Sequence, residues 1–382
     1  MPKIKIRITE LYVLIKLLIA WLVTGCHSRK NVWLISERGC EARDNGFVFF
    51  EYLKKNHTYL NVKYVINPNS KDFYKFNKYP NSTVRFGSFE HYKSLCKSST
   101  LVSTHIMGYT PFMDFFVKLD RKFRIFRHRK KIFLQHGIIK DYLPGLMKGA
   151  INVDLFCCGA KPEYDYILAN FGHSKQIVKY TGLCRYDNLN NFKSKRQILV
   201  MPTWRMYERG KDFITTKYYH YWSGFLKSDQ LYNYLEKFGY ELVFYPHYEI
   251  QKYITSFLSL DLNPCVKIAD FNFDVQTLLK ESCMLITDYS SVYFDIAYMR
   301  KPIIFYQFDE EEFRRKHYQR GYLREENLGY KCITQEKLFE VLYELLENGM
   351  TQDYKYIKYA DKFFEMRDDK NCQRVYEAIV DN

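Results

Sequence analysis

Several polar side chains stand directly behind short apolar runs, and their types suit the binding and transfer of phosphate. In KIFLQHGIIKD, His136 closes an apolar run and is followed by Gly137, which lets the backbone turn closely. A neutral imidazole at that place can take the proton of an attacking hydroxyl. In ELVFYPHYE, His247 holds the same position behind another run and can bind or protonate a phosphate oxygen. LVMPTWR ends on Pro202, Thr203, Trp204 and Arg205, which offers a hydroxyl and a planar guanidinium fork for phosphate. YTGLCRYD brings Arg185 and Asp187 to a polar, turn-rich stretch. In LITDYSSVYFDIAY the apolar run stops at Thr287 and Asp288, and the hydroxyls of Ser290 and Ser291 follow. Either serine can cap a helix carrying Val292 onward, and free N–H groups beside hydroxyls make an anion site. Asp295, one turn along, can accept hydrogen bonds from ribose hydroxyls.

Each stretch alone also has a plain structural reading: a buried, satisfied histidine, or an ordinary N-cap with Asp288 as a turn residue. The phosphate reading gains weight because His, Arg, Thr and Ser recur after apolar runs in both halves of the chain. Residues 287–291 contain no glycine, so they form neither a P-loop nor a dinucleotide fingerprint. There is no Asp-x-Asp triplet and no pair of Cys-x-x-Cys motifs, so neither a metal-clamped diphosphate nor a zinc site is expected, and no cofactor is implied. Phosphate charge would then fall to arginine, histidine and helix dipoles.

These groups need strands to carry them. Candidate strands are 31–36, 62–66, 83–87, 101–104, 131–135 and 153–159, then 197–202, 241–246, 266–269, 283–288 and 302–307. Helix-period segments lie between them, as at 229–239 and 274–282. This alternation predicts an α/β protein with two Rossmann-like domains facing across a cleft. The first would cover 31–190 and the second 191–382, divided in the polar stretch 186–196. Open parallel sheets bind ligands at the carboxyl ends of their strands, where the polar residues above fall.

The 382-residue chain carries a net charge of +15, which favours an anionic partner. No nucleic-acid-binding signature is present, so the charge is assigned to a membrane surface or a phosphorylated substrate. Segment 1–30 places Lys3, Lys5 and Arg7 ahead of an apolar stretch, 11–26, that Lys16 interrupts and that is short for a bilayer span. It reads as an in-plane membrane anchor, a secretory signal with Cys26 acylated, or a first buried helix. RKFRIFRHRKK, 121–131, reads as a helix, either lying on an anionic membrane or simply solvated.

Taken together, NVWLISERGCEARDNGFVFFEYL, LQHGIIKD, TGLCRYD, MPTWR, YPHYE and ITDYSSVYFDIAYMRKPIIFYQFD resemble the CDP-glycerol glycerophosphotransferase family of teichoic acid primases, polymerases and related capsule enzymes. The resemblance implies a glycosyltransferase-B type fold and an enzyme peripheral to the cytoplasmic face of the membrane. It implies transfer of glycerol phosphate from CDP-glycerol to a polyprenol-diphosphate-linked saccharide, with release of CMP. It also implies that His136 and His247 are catalytic and that Arg185, Pro202, Thr203, Ser290, Ser291 and Asp295 bind the donor; Gly137, Arg205, Thr287 and Asp288 are grouped with them. The family often has HGTPLK where this chain has HGIIKD, and TGxPR where it has Cys184, which bears on the acceptor side and on fine donor specificity. A CDP-ribitol donor and a nucleotide-sugar glycosyltransferase of the same fold are the alternatives. SERGCEARDNG carries part of the resemblance, but no chemistry is legible in it.

Overall fold

The computed structural model describes residues 7–24, 31–317 and 320–381. They divide into two compact units. The first comprises the chain up to Ile138, Pro144–Asp187 and the segment from Asp368; the second comprises Ile139–Leu143 and Asn188–Arg367.

In the first unit, seven strands form one parallel sheet: β1 Val32–Ser36, β2 Asn61–Ile66, β3 Thr83–Arg85, β4 Ser98–Ser103, β5 Lys130–Phe133, β6 Leu155–Cys158 and β7 Val178–Tyr180, in the order β3-β2-β1-β4-β5-β6-β7. The second unit holds a parallel sheet of six: β8 Gln197–Val200, β9 Glu241–Phe244, β10 Val266–Ile268, β11 Met284–Thr287, β12 Ile303–Tyr306 and β13 Tyr330–Cys332, in the order β10-β9-β8-β11-β12-β13. The inner strands are apolar at successive residues because helices cover both faces. Each sheet reverses its winding once, between β1 and β4 and between β8 and β11. Strands β7 and β13 escaped the sequence reading: each is a three-residue edge strand with a central lysine, too short and too polar to show a period.

The expected second domain, 191–382, loses its last segment to the first unit. The helix Asn371–Val380 buries Cys372, Val375 and Ile379 in the same core as Trp33, Ile132 and Leu155. Asp187 caps it, accepting from the backbone N–H of Asn371 (2.8 Å) and Cys372 (2.9 Å).

Three further expectations are corrected. The basic run 121–131 is not a helix. The helix Met113–Phe123 stops inside it, at Arg124 in the left-handed conformation, and β5 begins at Lys130. Phe126 enters the core, and Arg129 spends its guanidinium on the Leu95 and Cys96 carbonyls, so the run has no continuous outer face. Neither Ser290 nor Ser291 caps a helix: the helix is Tyr293–Tyr298, and Val292 precedes it without a side-chain cap. The left-handed turn before His136 is made by Gln135 (φ +61°) rather than by Gly137.

Of the apolar N-terminal stretch, residues 11–24 lie in the helix Ile8–Thr24, which packs on the helix Phe89–Lys97 through Val13 and Ala20. Its other face leaves Leu11, Ile15, Leu18 and Leu22 exposed. No helix among the described residues is long and apolar enough to cross a membrane. Lys3, Lys5 and Cys26 lie outside the described residues.

Candidate functional site

In the first unit the loop after β1 is built around Glu37. Its buried carboxyl group accepts from the backbone N–H of Arg43 (2.9 Å), Asp44 (3.2 Å) and Phe47 (2.7 Å), so it closes the start of the helix Asn45–Asn56. Burial first, and then the Asp44 carboxylate, push its pKa up to about 8. Gly46 is required beside it, since a Cβ there would lie 2.9 Å from Glu37 Oε1. Gly39, at φ +77°, leaves room for the Phe86 ring, 2.0 Å from where its Cβ would stand. The motif SERGCEARDNG, opaque as a sequence, is this loop. Its last polar residues anchor the loops that leave other strands: Asn45 donates to the Gln135 carbonyl (2.7 Å) and accepts from the Arg185 backbone N–H (2.9 Å), while Asp44 pairs with Arg185 Nη1 at 3.0 Å. Glu37→Ala would remove the side-chain acceptor of the Arg43 and Asp44 N–H groups and leave the Phe47 N–H only its bond to the Asp44 carbonyl (3.1 Å), at a cost of about 1–3 kcal/mol for each buried N–H that loses its acceptor. We expect a loss of about 3 kcal/mol in urea unfolding, recovered only in part by Glu37→Gln, whose single amide oxygen replaces one of the two accepting oxygens while its NH2 faces an N–H. An unchanged urea midpoint for the alanine variant would remove Glu37 from this role.

Arg185 is buried, and Nη1 also donates to the His136 carbonyl at 2.9 Å. It therefore positions the His136 backbone. His136 follows β5 with its ring exposed and neither ring nitrogen hydrogen-bonded among the described residues. Crowding by protein, and then the charges of Arg185 and Arg38, hold its pKa down to about 4. The ring keeps an open face to solvent, and the two guanidinium charges act in the same direction as the crowding. Its imidazole is thus neutral through the physiological range. His105, which the sequence reading passed over, follows β4 and stacks on His136 with centroids 4.7 Å apart and planes 10° apart. The available signal was its place: like His136, it stands just behind an apolar run, LVST.

In the second unit the strand ends at the switch point are tied together. Thr287 Oγ1 donates to the Met201 carbonyl (2.6 Å), and Asp288 accepts from the Thr203 backbone N–H (2.8 Å). Arg205 is buried: Nε and Nη2 fork onto Asp309 at 2.7 and 3.0 Å, and Nη1 reaches Asp288 at 2.8 Å and the Thr203 carbonyl. Tyr207 and Tyr289 add their hydroxyls to Asp309. The expected phosphate fork is thus committed to two carboxylates, so Arg205, Thr287 and Asp288 shape the loop ends.

Further polar groups stand in the same unit. Thr203 Oγ1 is shut from solvent without a hydrogen-bond partner among the described residues. Pro202 precedes it and is buried. Ser290 and Ser291 are half-buried, and their hydroxyls make no hydrogen bond among the described residues. Asp295 is buried with Gln276 Nε2 3.5 Å from Oδ1. His247, after β9, is half-buried and stacks on Trp204 with planes 17° apart. Its Nδ1 accepts from the Glu249 backbone N–H at 3.3 Å, so the neutral ring carries its proton on Nε2, ready to donate. Burial lowers its pKa, while the Glu249 and Asp288 carboxylates oppose the shift. Lys140, on the segment that belongs to this unit, donates to the Tyr289 carbonyl (3.0 Å) and pairs with Glu325 (3.1 Å).

Both units therefore present polar groups just beyond the carboxyl ends of strands at or beside the switch point, the ligand position of open α/β sheets. The chain belongs to the CDP-Glycerol:Poly(glycerophosphate) glycerophosphotransferase family, whose model matches residues 17–381. It is 31% identical over 373 residues to the minor teichoic acid biosynthesis protein GgaB of Bacillus subtilis, covering 93% of this chain and 40% of that protein. It is 27% identical over 198 residues to the teichoic acid ribitol-phosphate polymerase TarL of Staphylococcus aureus, covering 50% of this chain and 32% of that protein. The chain thus spans less than half the length of these two relatives. The structure of the wall teichoic acid polymerase TagF superposes with a TM-score of 0.67 at 20% identity, over 96% of this chain and 92% of that one, which shows the same glycosyltransferase-B type fold.

Proposed function

We propose that the chain transfers an alditol phosphate, glycerol phosphate in the first instance, from its CDP-activated form to a polyprenol-diphosphate-linked saccharide in teichoic acid or capsule-type polymer synthesis. The observation that carries this reading is the pair of strand-end clusters in a chain of this family: a neutral, exposed histidine in one unit, and in the other an imidazole N–H donor with unused hydroxyls. His136 accepts the proton of the acceptor hydroxyl as its oxygen attacks the phosphorus bearing the glycerol. The bond from that phosphorus to the CMP oxygen breaks, and CMP leaves. His247 Nε2–H meets the charge moving onto the leaving phosphate. Thr203, Ser290 and Ser291 offer hydroxyls to the diphosphate, and Asp295 accepts from the ribose. Gly137 and Pro202 shape the backbone next to His136 and Thr203. Arg185, Arg205, Thr287 and Asp288 hold these groups in place.

A ribitol donor is the second reading, favoured by the likeness to TarL. The exposed apolar face of the helix Ile8–Thr24 and the net charge of +15 support peripheral binding to an anionic membrane at its cytoplasmic face.

One experiment tests these points together: CMP release from CDP-glycerol and from CDP-ribitol, with and without a polyprenol-linked disaccharide in anionic vesicles, followed by sedimentation of the vesicles. We expect acceptor-dependent CMP from CDP-glycerol and co-sedimentation that neutral vesicles do not support. Release from CDP-ribitol alone would change the alcohol; release from neither donor would overturn the transfer.

A further inference from the structure

The pairing of two imidazoles at adjacent strand ends has no place in the proposed chemistry as stated. β4 and β5 are neighbours in the first sheet, so the residues that follow them emerge side by side. Both exits are tightly constrained. Ser103 Oγ donates to the Ser36 carbonyl (2.7 Å) and accepts from the His105 backbone N–H (3.2 Å). A Cβ on Gly108 would fall 2.3 Å from that same oxygen, so the loop closes only on glycine. On the other side Gln135 is held in the left-handed conformation by Asn45 on its carbonyl and by its own side chain on the Cys157 carbonyl (2.5 Å). Thr104 Oγ1 lies 2.9 Å from His105 Nδ1 and sets that ring's rotation. The result is a near-parallel stack, 10° between planes, with His105 beneath His136.

We infer that His105 is a positioning residue for the base: its stacked ring fixes the plane of the His136 imidazole and shuts one face of it from water. The inference rests on the reading of His136 as the base. The charged and titratable groups acting on the pair are Arg38, on the loop after β1, and Arg185, which is itself paired with Asp44. Crowding, then the His136 and Arg38 charges, hold His105 down to about 2, so it stays neutral and serves as a ring, not as an acid or a second base. Removing the ring would let water reach His136 and let its plane swing.

The test compares His105→Ala with His105→Phe in the full chain, with two readouts. NMR titration of labelled histidine reads the His136 pKa directly, whatever the donor. We expect H105A to raise that pKa by more than about one unit toward the ordinary histidine value of about 6.5, and H105F, which still stacks, to leave it in place. In CMP release from CDP-glycerol, H105A is expected to lower kcat by about 10–100-fold with the donor KM little changed, its acid limb moving up with the His136 pKa, and H105F to restore most of kcat. Should H105A fail to fold, His105→Asn, polar but without a ring to stack, replaces it. A His136 pKa unmoved by loss of the ring, or an H105F as impaired as H105A, would overturn the inference. A wild-type chain inactive with every CDP-alcohol would overturn the transfer reading instead, and the NMR titration would still decide the pairing.

Discussion

His136→Ala is expected to cut CMP release by at least about 10²–10⁴-fold, the usual worth of a well-placed base, while the protein stays folded. The side chain is exposed and makes no hydrogen bond among the described residues, so truncating it costs little stability. The geometry also sets the pH dependence. With the His136 pKa held at about 4, the base is neutral above that value, and the acid limb of kcat/KM should fall near pH 4, not near 6.5. Folding follows the same shift. The unfolded chain binds the proton at the ordinary pKa of about 6.5, the native chain only near 4, so between these values the unfolded state takes up more protons and native stability falls as pH falls. The alanine variant lacks that term and should tolerate acid slightly better than the parent. Near-normal transfer by His136→Ala to a purified lipid-linked acceptor would withdraw the assignment.

Arg205→Met is expected to cost about 3–5 kcal/mol, because it strips the cation from two buried carboxylates. Asp288 and Asp309 are both buried, and both are bound by the same guanidinium. In the variant, burial and mutual repulsion would raise their native pKa values above the unfolded ones. The native state would then bind more protons, so the variant should regain stability as pH falls, the opposite of the His136 effect. Arg205→Lys keeps the charge but loses the fork and should be intermediate. Adding Asp288→Asn and Asp309→Asn to Arg205→Met should restore part of the loss, and denaturant unfolding of the set measures the coupling. A single Arg205→Met variant with a parental unfolding midpoint would be incompatible with this arrangement.

Both effects depend on facts that the sequence shows unequally. That His136 follows a strand is legible, because KIFL is an apolar run that stops at a polar residue. That its partner is His105, thirty-one positions earlier, is not: two strand ends become neighbours only when the order β1-β4-β5 is known. Arg205 looked like a phosphate fork because arginine behind a strand fits one. The two aspartates that claim it follow β11 and β12, and only their convergence shows that the fork is already filled. The serines at 290 and 291 read as caps, yet the helix begins two residues later than Ser291, leaving their hydroxyls unused. The helix pattern assumed for 121–131 failed because Phe126 belongs to the core of the sheet, which composition alone does not reveal.

By itself the sequence determined the class of fold, most of the strands, and the positions where polar chemistry stands behind them. Those features are local: apolar periodicity and the residues that interrupt it act within a few positions. The tertiary structure alone decided the edge strands β7 and β13, the return of the helix Asn371–Val380 to the first unit, and the division of strand-end residues into those that face outward and those that hold them. Those outcomes arise from contacts between residues far apart in the chain, where burial leaves each charge and N–H needing a partner that no local pattern names. Glu37 is the plainest instance: a carboxyl group in an unreadable motif, made the centre of a loop by the three backbone N–H groups that fold around it.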